Sequence, residues 1–246
     1  TYSAASGTWV YDGTLKVGAA NIVPANTNIY MKKGSVDMGG YGQTIMGLLM
    51  GNADGEATQA TTGGGVLTLT SNSLTYGSAT TNPLAGVVSG RLHTTASAGG
   101  WNIYPSTAPG AGLFLEADMT GSGLIRRYQS GLLVLSGDNS GYDGGWYLEG
   151  GVTRLGSATA LGSTVGKTYF RANSTLDLNG QSVNGEAADV TTTGTRTTEP
   201  HLINSSGTAA SWSGTISLAR DILLGGAGDI AIGGNISQTA AGMGLR

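Results

Sequence analysis

The 246-residue chain contains no cysteine, so it holds no disulfide framework, no thiolate metal centre and no cysteine nucleophile. Charge is also scarce. Asp, Glu, Lys and Arg make up 11% of the residues, against about a quarter in an ordinary soluble domain, so the surface must be built from Gly, Ser, Thr and Asn. The 12 basic and 15 acidic residues give a formal charge of −3. No Lys or Arg run is long enough to track a phosphate backbone, and nucleic acid is not an expected partner. Long hydrophobic runs are missing as well. The longest, Ile45 to Met50, is broken by Gly47 and falls far short of the ~20 residues of a membrane helix, so no transmembrane segment is expected. The chain starts at Thr1 without a basic-then-apolar leader, and it is read as part of a longer one.

Helical signals are nearly absent. No window of about 11 residues repeats apolar positions at helical spacing without a Gly interruption, and the best candidate, 185–190, is too short to nucleate alone. What the sequence does have is glycine, 44 residues, and short apolar bursts such as Val66-Leu67-Thr68-Leu69-Thr70, Leu132-Leu133-Val134-Leu135 and Thr215-Ile216-Ser217-Leu218. Each burst is rich in β-branched or aliphatic residues and bounded by Gly, Asn, Ser or Asp, the pattern of strands between turns. The bursts argue against a disordered chain. The fold class is all-β.

Internal repetition narrows that class. Tyr30, Met31 and Lys32 match Tyr169, Phe170 and Arg171, while Val36, Asp37 and Met38 match Leu176, Asp177 and Leu178. Upstream, Trp9 falls on Trp146, and Gly123-Leu124-Ile125-Arg126 resembles the final Gly244-Leu245-Arg246. Residues 1–246 therefore read as one segment duplicated over about 7–126 and 144–246. Unequal strand spacing with Gly/Thr/Ser-rich turns fits a β-solenoid better than a sandwich. In a solenoid successive coils stack about 4.8 Å apart through main-chain hydrogen bonds. Roughly 20 to 25 residues per coil predicts about 10 to 12 coils. Residues 94–112 carry two prolines and have no counterpart in the second half, so they are expected to form an inserted loop.

The stretch Gly131-Leu-Leu-Val-Leu-Ser-Gly-Asp-Asn-Ser-Gly-Tyr-Asp-Gly-Gly145, followed by Leu148 to Gly156 and by Ala160-Leu161-Gly162, resembles the autotransporter-associated β-strand repeat. It departs from that pattern by one extra residue before Tyr142 and by Val152 in place of Leu. Ser174 to Gly180 and Leu84 to Gly90 resemble companion segments of the same family. The resemblance implies a right-handed parallel β-helix in an exported, surface-displayed bacterial protein, often an adhesin. It implies no reaction.

The residues that could carry chemistry are few. His93 and His201 lie far apart without a nucleophile-base pattern and are expected on solvated faces. Asp37 and Asp177 alternate with apolar residues and are expected to point outward, as turn caps rather than as a catalytic pair. Asp138, Asn139 and Asp143 could supply oxygen ligands to a cation, but the segment fits a plain Asx turn. The Gly-rich stretch ending at Asp229 reads as a corner between strands. Neither Gly63-Gly64-Gly65 nor Gly225-Gly226 meets the P-loop pattern, and Arg126-Arg127 reads as a solvated turn. No catalytic, cofactor or metal residues are assigned. Among the aromatics, Trp9, Tyr11, Trp101, Tyr104, Tyr142, Trp146, Tyr147 and Trp212 could stack on sugars if aligned on one face, or fill the interior. Trp101 and Tyr104, inside the expected loop, are the candidate contact surface.

The expected function is that of a non-enzymatic bacterial cell-surface or extracellular protein, a stalk displaying contact loops to surface glycans or proteins. A self-assembling fibre or surface-layer subunit is the first alternative, with the chain as its own partner. A polysaccharide-degrading β-helix enzyme is the second.

Overall fold

The computed structural model describes residues 7–51, 57–76, 85–95, 101–107, 111–171, 173–191, 200–239 and 241–246. Among them are 27 strands and no helix. The best helical candidate contributes the strand Ala187–Val190 instead. The strands pair in parallel ladders and form sheets of 14, ten and three strands. Each sheet takes its next strand from the following coil, so the chain winds as a β-solenoid. Ten rungs in the second sheet enclose about nine turns, slightly fewer than expected, and the coils are uneven. Ile29 pairs with Leu48, only 19 residues on, whereas Ser182 pairs with Ser211, 29 residues on.

Alternation along the strands sorts side chains between interior and surface. In Asn28–Met31, Ile29 and Met31 are buried and Asn28 and Tyr30 are partly exposed. Stacked over many coils, this produces interior columns. One runs through Ile29, Leu48, Leu74 and Ile103, then Arg127, then Leu148, Phe170, Val190 and Leu218. Burying each aliphatic member contributes about 1.5 to 3 kcal/mol, so the column supplies much of the axial cohesion.

Corners between the first and second sheets need left-handed backbone. Gly13, Gly34 and Gly51 provide it early in the chain (φ 72°, 90° and 114°), and Gln129 and Asn173 later (φ 69° and 57°). Space matters as much as φ at Gly34, where an added Cβ would lie 2.1 Å from the Gly13 carbonyl oxygen. Buried amides tie the turns to one another. Asn204 donates to the carbonyls of Thr208 and Asp229 and accepts from the amides of Gly180 and Ser206. Asn139 accepts from Met119 N and donates to Ala160 O.

Four expectations change once the coils are stacked. The segment 94–112 is not a loop throughout, because Trp101–Tyr104 forms a strand of the first sheet with Trp101 and Ile103 buried; residues 96–100 and 108–110 lie outside the described residues. Trp9 and Trp146 do not share a face, since Trp9 is 55% exposed and Trp146 is buried. A one-residue difference in phase moves a strand side chain to the opposite side of the sheet. Traced rung by rung, Tyr169 lines up with Tyr147, Arg126, Asn102, Ser73, Gly47 and Asn28. It therefore stands over Asn28 and not Tyr30, an even offset that keeps both tyrosines outside. The tail match also separates: Ile125–Arg127 lies in the first sheet, whereas Leu245 bridges Ile222 beside the second.

Candidate contact face and the corner beside it

The outer surface of the 14-stranded sheet gathers seven aromatic residues: Trp9, Tyr11, Tyr30, Tyr104, Tyr128, Tyr147 and Tyr169. Short alternating strands put them there, with Tyr30, Tyr104, Tyr147 and Tyr169 each flanked on both sides by buried residues and Tyr11 and Tyr128 just past the ends of their strands. One outward column runs Trp9, Tyr30, Leu49, Thr75, Tyr104. Two residues earlier in each coil, a second runs Asn102, Arg126, Tyr147, Tyr169, Asp189.

Coil spacing sets how these rings meet. Trp9 and Tyr30 stack at 4.3 Å with an interplanar angle of 11°, and Tyr104 and Tyr128 at 5.3 Å and 14°. Such pairs spend ring faces on each other and leave edges and hydroxyls for solvent. Tyr147 meets Tyr169 edge-on at 4.4 Å, and its ring lies 4.9 Å from the Arg126 guanidinium and 5.1 Å from that of Arg171. Glu149 Oε1 joins the group, 3.4 Å from Arg126 and 3.9 Å from Arg171. Burial, and secondarily the neighbouring Tyr128, raises the Tyr104 pKa. The face combines Trp, Tyr and Arg, the residue types that dominate energetic hot spots at protein contacts.

Of the two residues expected to form the contact surface, only Tyr104 is on this face. Trp101 points inward and is 2% exposed, so its ring is not available for surface contact. Trp146 and Trp212 are also interior, and Tyr142, whose pKa burial raises, donates its hydroxyl to the carbonyls of Gly123 and Gly145. Trp146 donates to Leu161 O at 2.9 Å. Sequence reasoning missed Tyr30, Tyr128 and Tyr169 as members of the face, although alternation around buried neighbours was the available signal.

The carboxylates serve corners. Asp37 accepts from Gly39 N at 2.8 Å, and Asp177 accepts from Asn179 N at 3.0 Å, the same two-residue cap in each. Asp177 is fully buried rather than outward in solvent, because Ser205 donates to it from its backbone and hydroxyl and Arg154 from Nε. Burial is the largest influence on Asp177 and opposes ionisation, but the Ser205 and Arg154 bonds together hold its pKa below the usual carboxylate value. Asp138 accepts from Ser140 N and Thr159 Oγ1, which keep its pKa low, while Asp143 accepts from Ser163 Oγ. These are turn contacts. His93 lies partly exposed against Thr120 Oγ1 at 2.9 Å. His201, expected on a solvated face, is buried and accepts from Leu223 N through Nδ1.

Two buried ionisable groups escaped sequence reasoning. Arg127 is on a strand with its side chain inside the column, not in a solvated turn; desolvation lowers its pKa to about 9. Glu186 is buried with Thr168 Oγ1 donating to it at 2.8 Å, and desolvation outweighs that bond, raising its pKa to about 7. Among the described residues no group of three or more His, Cys, Asp or Glu is placed to hold a metal ion. No protein-family model matches the chain, and neither a curated protein nor a solved structure is significantly similar to it.

Proposed function

We propose that this chain is a non-enzymatic bacterial cell-surface or extracellular protein, a β-helical stalk of right-handed winding that works by display and adhesive contact. The observation that carries the reading is the aromatic-arginine face of the 14-stranded sheet, held on parallel rungs that give it a fixed geometry. Rigid support lowers the ordering cost of binding, and the low charge of the chain leaves aromatic and hydroxyl contacts as its main means of adhesion.

Retention of beads coated with the chain on cell monolayers and matrix-coated surfaces tests the proposal. Tyr104→Ala with Tyr128→Ala should reduce retention about tenfold while the thermal midpoint changes little. Wild-type beads that hold no better than blocked beads, or release of reducing sugar from polysaccharide by the purified chain, would overturn it.

A further inference from the structure

An arginine interrupts the otherwise apolar interior column, with Leu74 and Ile103 before it and Leu148 and Phe170 after it. Burying a cation without an acid costs more than any aliphatic residue would. Arg127 recovers part of that cost from main-chain carbonyls. Nη1 donates to Gln129 O and Gly150 O, and Nη2 donates to Gly131 O and, at 3.2 Å, to Val152 O. The guanidinium thereby fixes two successive corners from beneath. Gly151 is required beside it, since its φ is +50° and an added Cβ would sit 2.5 Å from the Gly131 carbonyl oxygen and the Ser130 carbonyl carbon.

Directly outside those corners lies a cavity of about 460 Å³, within the size range of small-molecule sites. Three successive coils line it, through Gln129 and Ser130, Glu149 and Val152, and Asn173 and Thr175. Gln129 and Asn173 hold left-handed backbone (φ 69° and 57°) that glycine would occupy without strain. Asn is a common occupant of that region, but Gln is not, so the amide of Gln129 is a cost that the corner geometry does not require. Both Arg contacts of Glu149 fall on Oε1, leaving Oε2 to accept. Tyr128, which precedes Gln129 in the chain, stacks on Tyr104 by one face.

We propose that this corner binds a neutral, hydroxyl-rich glycan unit. Amides and a carboxylate held at fixed spacing suit vicinal hydroxyls, which both donate and accept. Among the described residues the only charged one lining the cavity is Glu149; Arg127 turns its donors toward carbonyl oxygens, and Arg126 and Arg171 are held against Glu149 Oε1, so an anionic sugar would meet a carboxylate and cations already paired with it. The inference rests on the contact reading above and names its ligand class.

Titration of the full chain with neutral hexose and N-acetylhexosamine oligosaccharides, beside matched uronate and sulfated ones, tests it by calorimetry. Neutral oligosaccharides should bind. Gln129→Gly combined with Asn173→Gly suits the backbone at both positions and should weaken binding about tenfold or more, with an unchanged circular dichroism spectrum. Gln129→Asn, which keeps an amide and tolerates the left-handed region, should retain most of the affinity. Absence of neutral-glycan binding, preference for the acidic series, or full affinity in the double glycine variant would overturn the site. If sugar binding fails while coated beads still adhere, the pocket assignment falls alone; if beads fail as well, the contact reading falls with it.

Discussion

Asp37 and Asp177 occupy matching places in the two halves of the chain and make the same local bond, each accepting from the amide two residues ahead. Their loads nevertheless differ. Asp37 is partly exposed and sits 3.8 Å from a mostly solvated Lys16, whereas Asp177 is buried and accepts from both Ser205 and Arg154. Trp9 and Trp146 repeat the contrast, one stacked on the outside and the other inside the column. Local sequence builds the same cap twice, but the neighbouring coils decide whether it holds the structure together.

The widest separation is expected at the tryptophans. Trp146→Ala empties a buried site and should cost about 3 to 5 kcal/mol, whereas Trp9→Ala, removing a ring that is 55% exposed, should cost about 1 kcal/mol. Urea unfolding of both variants measures the gap, and equal midpoints would break the comparison. Next come the acids. Asp177→Ala leaves Arg154 and Ser205 without their acceptor and should cost about 3 kcal/mol, against about 0.5 kcal/mol for Asp37→Ala.

Titration sharpens the same contrast. The pKa of Asp177 is depressed on folding, so its contribution is present above the unfolded value near 3.8 and is lost as the pH falls below that. Unfolding midpoints measured through this range should fall more steeply for wild type than for Asp177→Asn. Glu186 runs the opposite way. Its folded pKa is raised from 4.5 to about 7, so its contribution is complete below about pH 4.5 and is lost as the pH rises through 7. The wild-type chain should lose roughly 2 kcal/mol between those limits through this group, and Glu186→Gln should flatten that limb. A chain with the same slope in both variants would show that neither carboxyl differs from a surface acid.

Legibility followed distance along the chain. Strand bursts such as Leu132–Leu135 could be read because alternation and bounding turn residues act within a few positions. The Asx cap at Asp138 could be read for the same reason. The aromatic face could be read only in part: Tyr104 was recognisable, but Trp101, three residues away, points the other way, and parity in a strand depends on where the strand starts. Arg127 was not legible at all. Beside Arg126 it looks like half of a solvated pair, and only the rung above and below it reveals that its column is otherwise apolar.

Taken alone, the amino-acid order determined an all-β chain with short strands, tight polar corners and a stacked architecture, because those outcomes depend on period-two patterning and on which residues tolerate a sharp turn. Tertiary structure decided which residues became neighbours. Coils of 19 to 29 residues place each side chain through the summed lengths of all the corners before it, and a change of one residue in that sum exchanges interior for surface.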